Sequence, residues 1–293
     1  MTRTLRLGAL LLALCLAAVA CNPGSEPSTP PPKPDKTIEN KGSDTMVNLA
    51  LAWAEAYMKK RPNVDMSVQG GGSGTGIAAF INGICDICQA SRKMSGKEIQ
   101  QCRDRNIVPT ATVVAMDGIS IAVHSSNPID SLTLQQLKDI YTGKVRNWKQ
   151  VGGKDAPIIV LSRESSSGTY VYFQELVLKS EKYAATALLM PSTKAIQQEI
   201  RNNPNAVGYG GVAYFKGVKN IKVVPVAKGK GLPAVEPTDE NIIAKKYPIS
   251  RPLFLYTAGK PRGLIGDYIK FCLSSEGQRI VQRVGYVAVG KLK

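Results

Sequence analysis

A single histidine, His124, stands among 293 residues, and that scarcity removes much of enzyme chemistry at once. A Ser-His-acid triad would have to use it, yet it closes an apolar strand-like run, where a histidine reads as structural. A nitrogen-rich zinc centre has too few ligands, and no HExxH occurs. The Gly-x-Ser-x-Gly elbow of hydrolases is missing at both Ser73 and Ser167. The glycine-rich stretch 70–76 is followed by no Lys-Ser or Lys-Thr and lacks the G-x-G-x-x-G spacing, which opposes a P-loop or dinucleotide site. No block of lysine and arginine interleaved with aromatics appears, so nucleic acid is disfavoured. Beyond the first twenty residues no apolar run is long enough to cross a bilayer.

What is abundant is positive charge. The formal net charge is +16, and residues 1–40 contribute only +1 of it, with Arg3, Arg6, Lys33 and Lys36 against Glu26, Asp35 and Glu39. An anionic surface or a small anionic ligand suits that balance. The lysines spread over 216–246 read as a solvated face.

The N-terminus reads as a sorting signal. Arg3 and Arg6 precede an apolar core at 7–20, too brief to span a membrane comfortably. Ala18-Val19-Ala20-Cys21 is similar to a bacterial lipoprotein cleavage box, with Ala18 where leucine is usual. On that reading residues 1–20 are a lipoprotein signal peptide, Cys21 is the lipid attachment point, and 21–40 is a Pro-rich linker that cannot build a core. A plain secretory signal cut nearby is the alternative; either way the chain is exported.

The stretch Ser162-Arg163-Glu164-Ser165-Ser166-Ser167-Gly168-Thr169 organises the rest. A buried strand is expected over 157–161 and a helix over 170–178, so the turn sits where free amides and the positive end of a helix dipole meet. Such a point attracts an anion, and the hydroxyls and Arg163 add donors. Serine and threonine also suit an ordinary capping turn. The same strand–turn–helix order recurs at 64–81, through Gly70-Gly71-Gly72-Ser73-Gly74-Thr75-Gly76. A third helix is expected from Gly42-Ser43-Asp44-Thr45-Met46 to Lys60, capped by Ser43 or Asp44.

Elsewhere Ser95 with Glu98, and Thr133 with Gln136, have capping-box spacing. Two apolar runs, 108–115 and 118–123, are separated by Met116-Asp117. Strands are expected at 206–209, 221–226 and 253–256, and helices at 264–273 and 278–284. Strands alternate with helices throughout, which argues for an α/β class.

With Cys15 and Cys21 set aside, Cys85, Cys88, Cys102 and Cys272 remain. Cys85-x-x-Cys88 has no second close pair, so a metal site is disfavoured. In an exported protein one or two disulfides are expected, with the connectivity open.

Taken together, the residues from about Lys41 onward resemble the substrate-binding lipoprotein of the bacterial high-affinity phosphate ABC importer, the periplasmic phosphate-binding protein family. The resemblance rests on 42–46, 70–76, Ala90-Ser91-Arg92, 132–137 with 140–144, Asn147-Trp148, 163–169 and Tyr247-Pro248-Ile249-Ser250-Arg251-Pro252. It implies a two-lobed type II periplasmic-binding-protein fold. Each lobe is a mixed sheet flanked by helices, with the ligand in the cleft between them. Lobe I is expected at 41–116 with 252–293, and lobe II at 117–251.

The resemblance further implies that Thr45, Met46, Ser73, Arg163, Ser167, Gly168 and Thr169 contact phosphate. Asp44, Arg92 and Ser43 are further candidates. Many members carry Asp where Arg92 stands here, so Asp44 becomes the candidate acceptor for the phosphate proton, and Arg92 either a second positive contact or a partner for Asp44 or Asp86. Glu164 would either hold Arg163 or face solvent. No cofactor, metal or enzymatic activity is implied. The expected partners are inorganic phosphate, the permease subunits of an importer, and a membrane through the lipid alone, for a monomer facing the periplasm or cell exterior. Sulfate or molybdate as ligand, and a phosphomonoesterase using Ser73 or Ser167, are the alternatives.

Overall fold

The computed structural model describes residues 36–290; the leader at 1–20, Cys21 and the linker as far as residue 35 lie outside the described residues. In chain order the first part runs β1 (Lys36–Gly42), a 3-10 turn (Asp44–Met46), α1 (Val47–Lys60), β2 (Val64–Gln69), α2 (Ser73–Ile81), β3 (Ile87–Ala90), α3 (Gly96–Arg103) and β4 (Pro109–His124). The middle runs β5 (Leu132–Thr133), α4 (Leu134–Tyr141), β6 (Ile159–Arg163), α5 (Gly168–Leu176), β7 (Leu188–Met190), α6 (Thr193–Asn202) and β8 (Ala206–Gly211). Then follow β9 (Ile221–Val224), β10 (Val226–Ala227), β11 (Ala234–Val235), α7 (Asp239–Ile243), β12 (Ser250–Ala258), α8 (Gly263–Leu273) and α9 (Ser275–Val284).

These strands form a mixed sheet in the order β2-β1-β3-β12-β4-β8-β6-β7, with β9 also on β4, and a small sheet β11-β10-β5. The long strand β4 ties the molecule together. Its first part pairs antiparallel with β12, and its second part with β8 and β9. The Met116-Asp117 break between two expected runs lies within one strand, just before its switch of partners between Gly118 and Ile119. Apolar residues flank it on both sides because each end enters a different core.

One set of cores lies under β1–β3 and β12. There α1 buries Leu49, Ala50, Trp53, Ala54 and Tyr57, a spacing that brings them to one helical face. Leu49, Trp53, Ala54 and Tyr57 pack with Tyr268, Ile280 and Val281 of α8 and α9, and the Trp53 indole donates to the Gly277 carbonyl at 2.8 Å. The other set lies around the second part of β4, where Ile119, Ile121 and Val123 meet Phe173, Val207 and Tyr209. Phe173 and Tyr209 stack with ring centroids 4.2 Å apart.

Four expectations are modified. Strand β1 starts at Lys36, inside the stretch assigned to the linker: Ile38 and Asn40 are buried, and the segment pairs with both β2 and β3. Neither Ser43 nor Asp44 caps the helix from 44 to 60 with its side chain. Residues 221–226 make two strands rather than one, β9 on the large sheet and β10 on the small one. All four cysteines are free and buried, instead of joined in one or two disulfides. Cys272 belongs to the core under α1, α8 and α9, while Cys85, Cys88 and Cys102 sit in the separate core of α2 and α3. Each acts there as a small apolar side chain. Burial pushes the Cys85 thiol up to about 11 and raises those of Cys88 and Cys272 as well.

Candidate functional site

Three helix starts meet where β4 changes partners. The Thr45 and Thr169 hydroxyls, from the 3-10 turn before α1 and from the first turn of α5, share a 2.9 Å hydrogen bond. The start of α2 closes on the same α5 turn: a Cβ on Gly168 would lie 2.3 Å from Ser73 Oγ and 2.8 Å from Ser91 Oγ. Only glycine permits that approach. The Gly74 amide, in the first turn of α2, donates to the Ser166 carbonyl at 2.8 Å, and Ser166 Oγ to the Gly71 carbonyl at 3.2 Å. Gly72, at φ 114°, makes that turn in the left-handed half of conformational space and has no side chain to cap α2.

The hydroxyls are themselves held. Ser167 caps α5, its oxygen accepting from the Thr169 and Tyr170 amides at 3.2 and 3.4 Å. Ser73 Oγ accepts from the Ser91 amide at 3.0 Å. An oxygen occupied as acceptor leaves its own proton for another partner. The site is therefore rich in O–H donors at uncapped or hydroxyl-capped helix starts, which is the chemistry that holds an oxyanion.

Two buried arginines flank the junction, each with a carboxylate. Arg163, at the end of β6, donates from Nη1 to Asp44 Oδ2 at 2.8 Å and to Thr193 Oγ1 at 3.0 Å. Its Nη2 reaches the Pro191 carbonyl and its Nε the Met190 carbonyl. Asp44 Oδ2 also accepts from the Thr193 amide and hydroxyl, whereas Oδ1 takes none of these bonds. Arg251 on β12 forks onto Asp117 Oδ2 at 3.0 and 2.9 Å, and the pair is completely buried. Burial pushes the Asp117 carboxyl up from the usual range, against the pull of Arg251 and the Val212 amide.

The structure brings Thr45, Ser73, Ser167, Gly168 and Thr169 together, with Arg163 and Asp44 paired beside them. Met46 donates its amide to the Ser43 carbonyl at 3.0 Å, and the Ser43 amide donates to the Gln89 carbonyl at 2.7 Å. Arg92 bonds neither Asp44 nor Asp86. Its two terminal nitrogens grip Glu98 at 2.8 and 2.7 Å. Burial raises the Glu98 carboxyl, but the bonds from Arg92 and the Ser95 amide outweigh it and hold the group below its ordinary value. Glu164 is exposed and Asp44 takes the partnership with Arg163. Among the described residues the His124 ring bonds to its neighbour Ser126. Sequence reading assigned no site role to Thr193, Ser91, Asp117 or Arg251. Asp117 had one signal, a charge interrupting an apolar run; Arg251 had another, its place in the 247–252 motif.

A family model described as a PBP superfamily domain matches residues 27–276. A Pseudomonas aeruginosa protein named phosphate-binding protein PstS is 33% identical over 267 residues, 85% of this chain and 82% of that protein. A Staphylococcus aureus protein of the same name is 34% identical over 254 residues, 84% of this chain and 76% of that one. Among solved structures, a Clostridium perfringens chain with bound phosphate, described as a phosphate ABC transporter substrate-binding protein, superposes with a TM-score of 0.78 at 35% identity. It covers 87% of this chain and all of that one. An ABC-type phosphate transport receptor from Vibrio cholerae gives 0.71 at 31% identity, over 86% of this chain and all of that one. The fold is thus the α/β periplasmic-binding-protein fold, and the class is the PBP superfamily. Within it, this chain belongs to the PstS phosphate-binding protein family.

Proposed function

We propose that the protein captures inorganic phosphate outside the cytoplasm and delivers it to the permease of an ABC importer. The observation that carries this reading is the meeting of three helix starts on the Thr45–Thr169 and Ser73–Gly168 contacts, with Arg163 fixed alongside. Lobe I comprises 41–116 with 252–293, extended by β1 from Lys36, and lobe II comprises 117–251. The ligand lies between them, bound by Thr45, Ser73, Arg163, Ser167, Gly168 and Thr169, with the Met46 amide as a shared donor. Asp44 Oδ1 accepts the proton that phosphate keeps and sulfate lacks. A carboxylate oxygen facing sulfate would meet only acceptors, and an unsatisfied buried polar group costs about 1–3 kcal/mol.

Charge compensation in this reading comes mainly from amides and hydroxyls, because Arg163 is already paired with Asp44. The protein acts as a monomer, binds rather than turns over its ligand, and is held at a membrane by lipid on Cys21. The sequence of the first 40 residues supports the anchor, and no described helix is long and apolar enough to cross a membrane.

Competition titration is the deciding experiment. Phosphate should bind tightly in the presence of excess sulfate or molybdate; displacement by either at comparable concentration would reassign the ligand. Steady release of product from a chromogenic phosphate ester would point to the esterase instead. Loss of radiolabelled palmitate incorporation in Cys21→Ser tests the anchor.

A further inference from the structure

Arg251 and Asp117 stand directly opposite each other across β12 and β4, on the strands that link the two parts of the sheet. Arg251 is 1% exposed and Asp117 fully buried. The guanidinium does more than neutralise Asp117. Its Nη1 donates to the Ser91 carbonyl at 3.0 Å, and its Nη2 to Thr169 Oγ1 at 3.0 Å and Thr45 Oγ1 at 3.4 Å. Nη2 carries two hydrogens: one faces Asp117, and the other lies between the two threonine oxygens.

A guanidinium has donors and no acceptor. Each threonine oxygen can therefore only accept from Arg251, and each hydroxyl proton must turn elsewhere. In the structure one of those protons completes the Thr45–Thr169 bond. An oxyanion placed at the pair can draw both outward, because the one remaining Nη2 hydrogen goes on bridging the two oxygens. Ser167 and Ser73 show the same logic with backbone amides in place of the guanidinium.

We propose that Arg251 is a positioning residue of the anion site, holding the Thr45 and Thr169 hydroxyls as donors toward bound phosphate. Asp117 balances its charge, so its contribution is orientation and not net positive potential. Donor-locked hydroxyls favour ligand oxygens that carry no proton, leaving the single phosphate proton to be received at one acceptor. This inference rests on the phosphate reading of the cleft.

The test is a double-mutant cycle on phosphate affinity with Arg251→Lys and Thr169→Val. Lysine keeps a cation against Asp117 but cannot serve the fork of acceptors. Arg251→Lys should weaken phosphate about tenfold or more. Thr169→Val should cost about tenfold in the parent and less than about threefold beside Arg251→Lys, since the hydroxyl is then no longer oriented. Parent-like affinity in Arg251→Lys, or equal losses from Thr169→Val in both backgrounds, would reduce the pair to a strand clamp and overturn the proposal. Should Arg251→Lys fail to fold, Arg251→Met with Asp117→Asn removes both charges and carries the same comparison. A parent chain that takes up no phosphate sinks the phosphate reading and this inference together. Normal uptake with equal losses sinks only the role of Arg251.

Discussion

Asp44 and Arg163 are 119 residues apart in the chain, and their side chains meet at 2.8 Å beside the junction of three helix starts. The arrangement makes two demands on one carboxylate. Its Oδ2 fixes Arg163 and the start of α6 through Thr193, while Oδ1 takes no part in those bonds. Removing the cation and removing the negative charge should therefore have different consequences. Arg163→Ala should lower phosphate affinity about a hundredfold or more, because a charge-assisted donor is lost and Asp44 is left without its cation. Asp44→Asn should retain binding while lowering phosphate-over-sulfate discrimination by about one to two orders of magnitude. Calorimetry with both anions checks each.

Gly168→Ala is a steric test of the same junction. The added methyl would sit 2.3 Å from Ser73 Oγ and must push the starts of α2 and α5 apart. Phosphate affinity should fall about tenfold or more, with far less effect on the melting temperature than a core truncation such as Phe173→Ala, which costs about 3–5 kcal/mol. An alanine variant that binds like the parent would mean the two helix starts do not have to approach for binding.

Much of the scaffold was legible locally. The Ser95–Glu98 and Thr133–Gln136 boxes form as their spacing predicts, because a capping box is an interaction over three residues that needs no tertiary partner. The strand–turn–helix order at 64–81 and 159–176 was also readable, since turn chemistry is local. The partners were not. Thr193 meets Asp44 across 149 residues and Arg251 meets Asp117 across 134, and no local period encodes such distances. The absent cap on the helix from 44 to 60 has the same cause: the Asp44 carboxylate is drawn away by a tertiary partner stronger than a helix amide. Arg92 found Glu98, six residues on, through a bidentate grip, so that pair was within reach of local reading.

The Arg92–Glu98 pair predicts an acid-side instability. The bonds from Arg92 and the Ser95 amide hold the folded Glu98 carboxyl below its ordinary value. A depressed carboxyl contributes stability that is present above the unfolded value and is lost as pH falls through the folded value. Denaturant unfolding followed from neutral pH downward should show that contribution disappear. Glu98→Gln should be less stable at neutral pH and converge on the parent in acid; parallel curves would refute it.

Free buried cysteines predict indifference to reductant. Dithiothreitol should leave the melting temperature unchanged, and the folded protein should react slowly with a thiol reagent that titrates all four described cysteines after denaturation. A fall in melting temperature on reduction would show that a disulfide forms among them.

Amide NMR tests the central claim most directly, that helix starts far apart in the chain wrap one small oxyanion. Titrating labelled protein with phosphate should shift the Thr45, Ser73, Gly168 and Thr169 amides together, saturating at one phosphate per chain. Perturbation confined to a single one of these turns, or centred on another part of the surface, would contradict it.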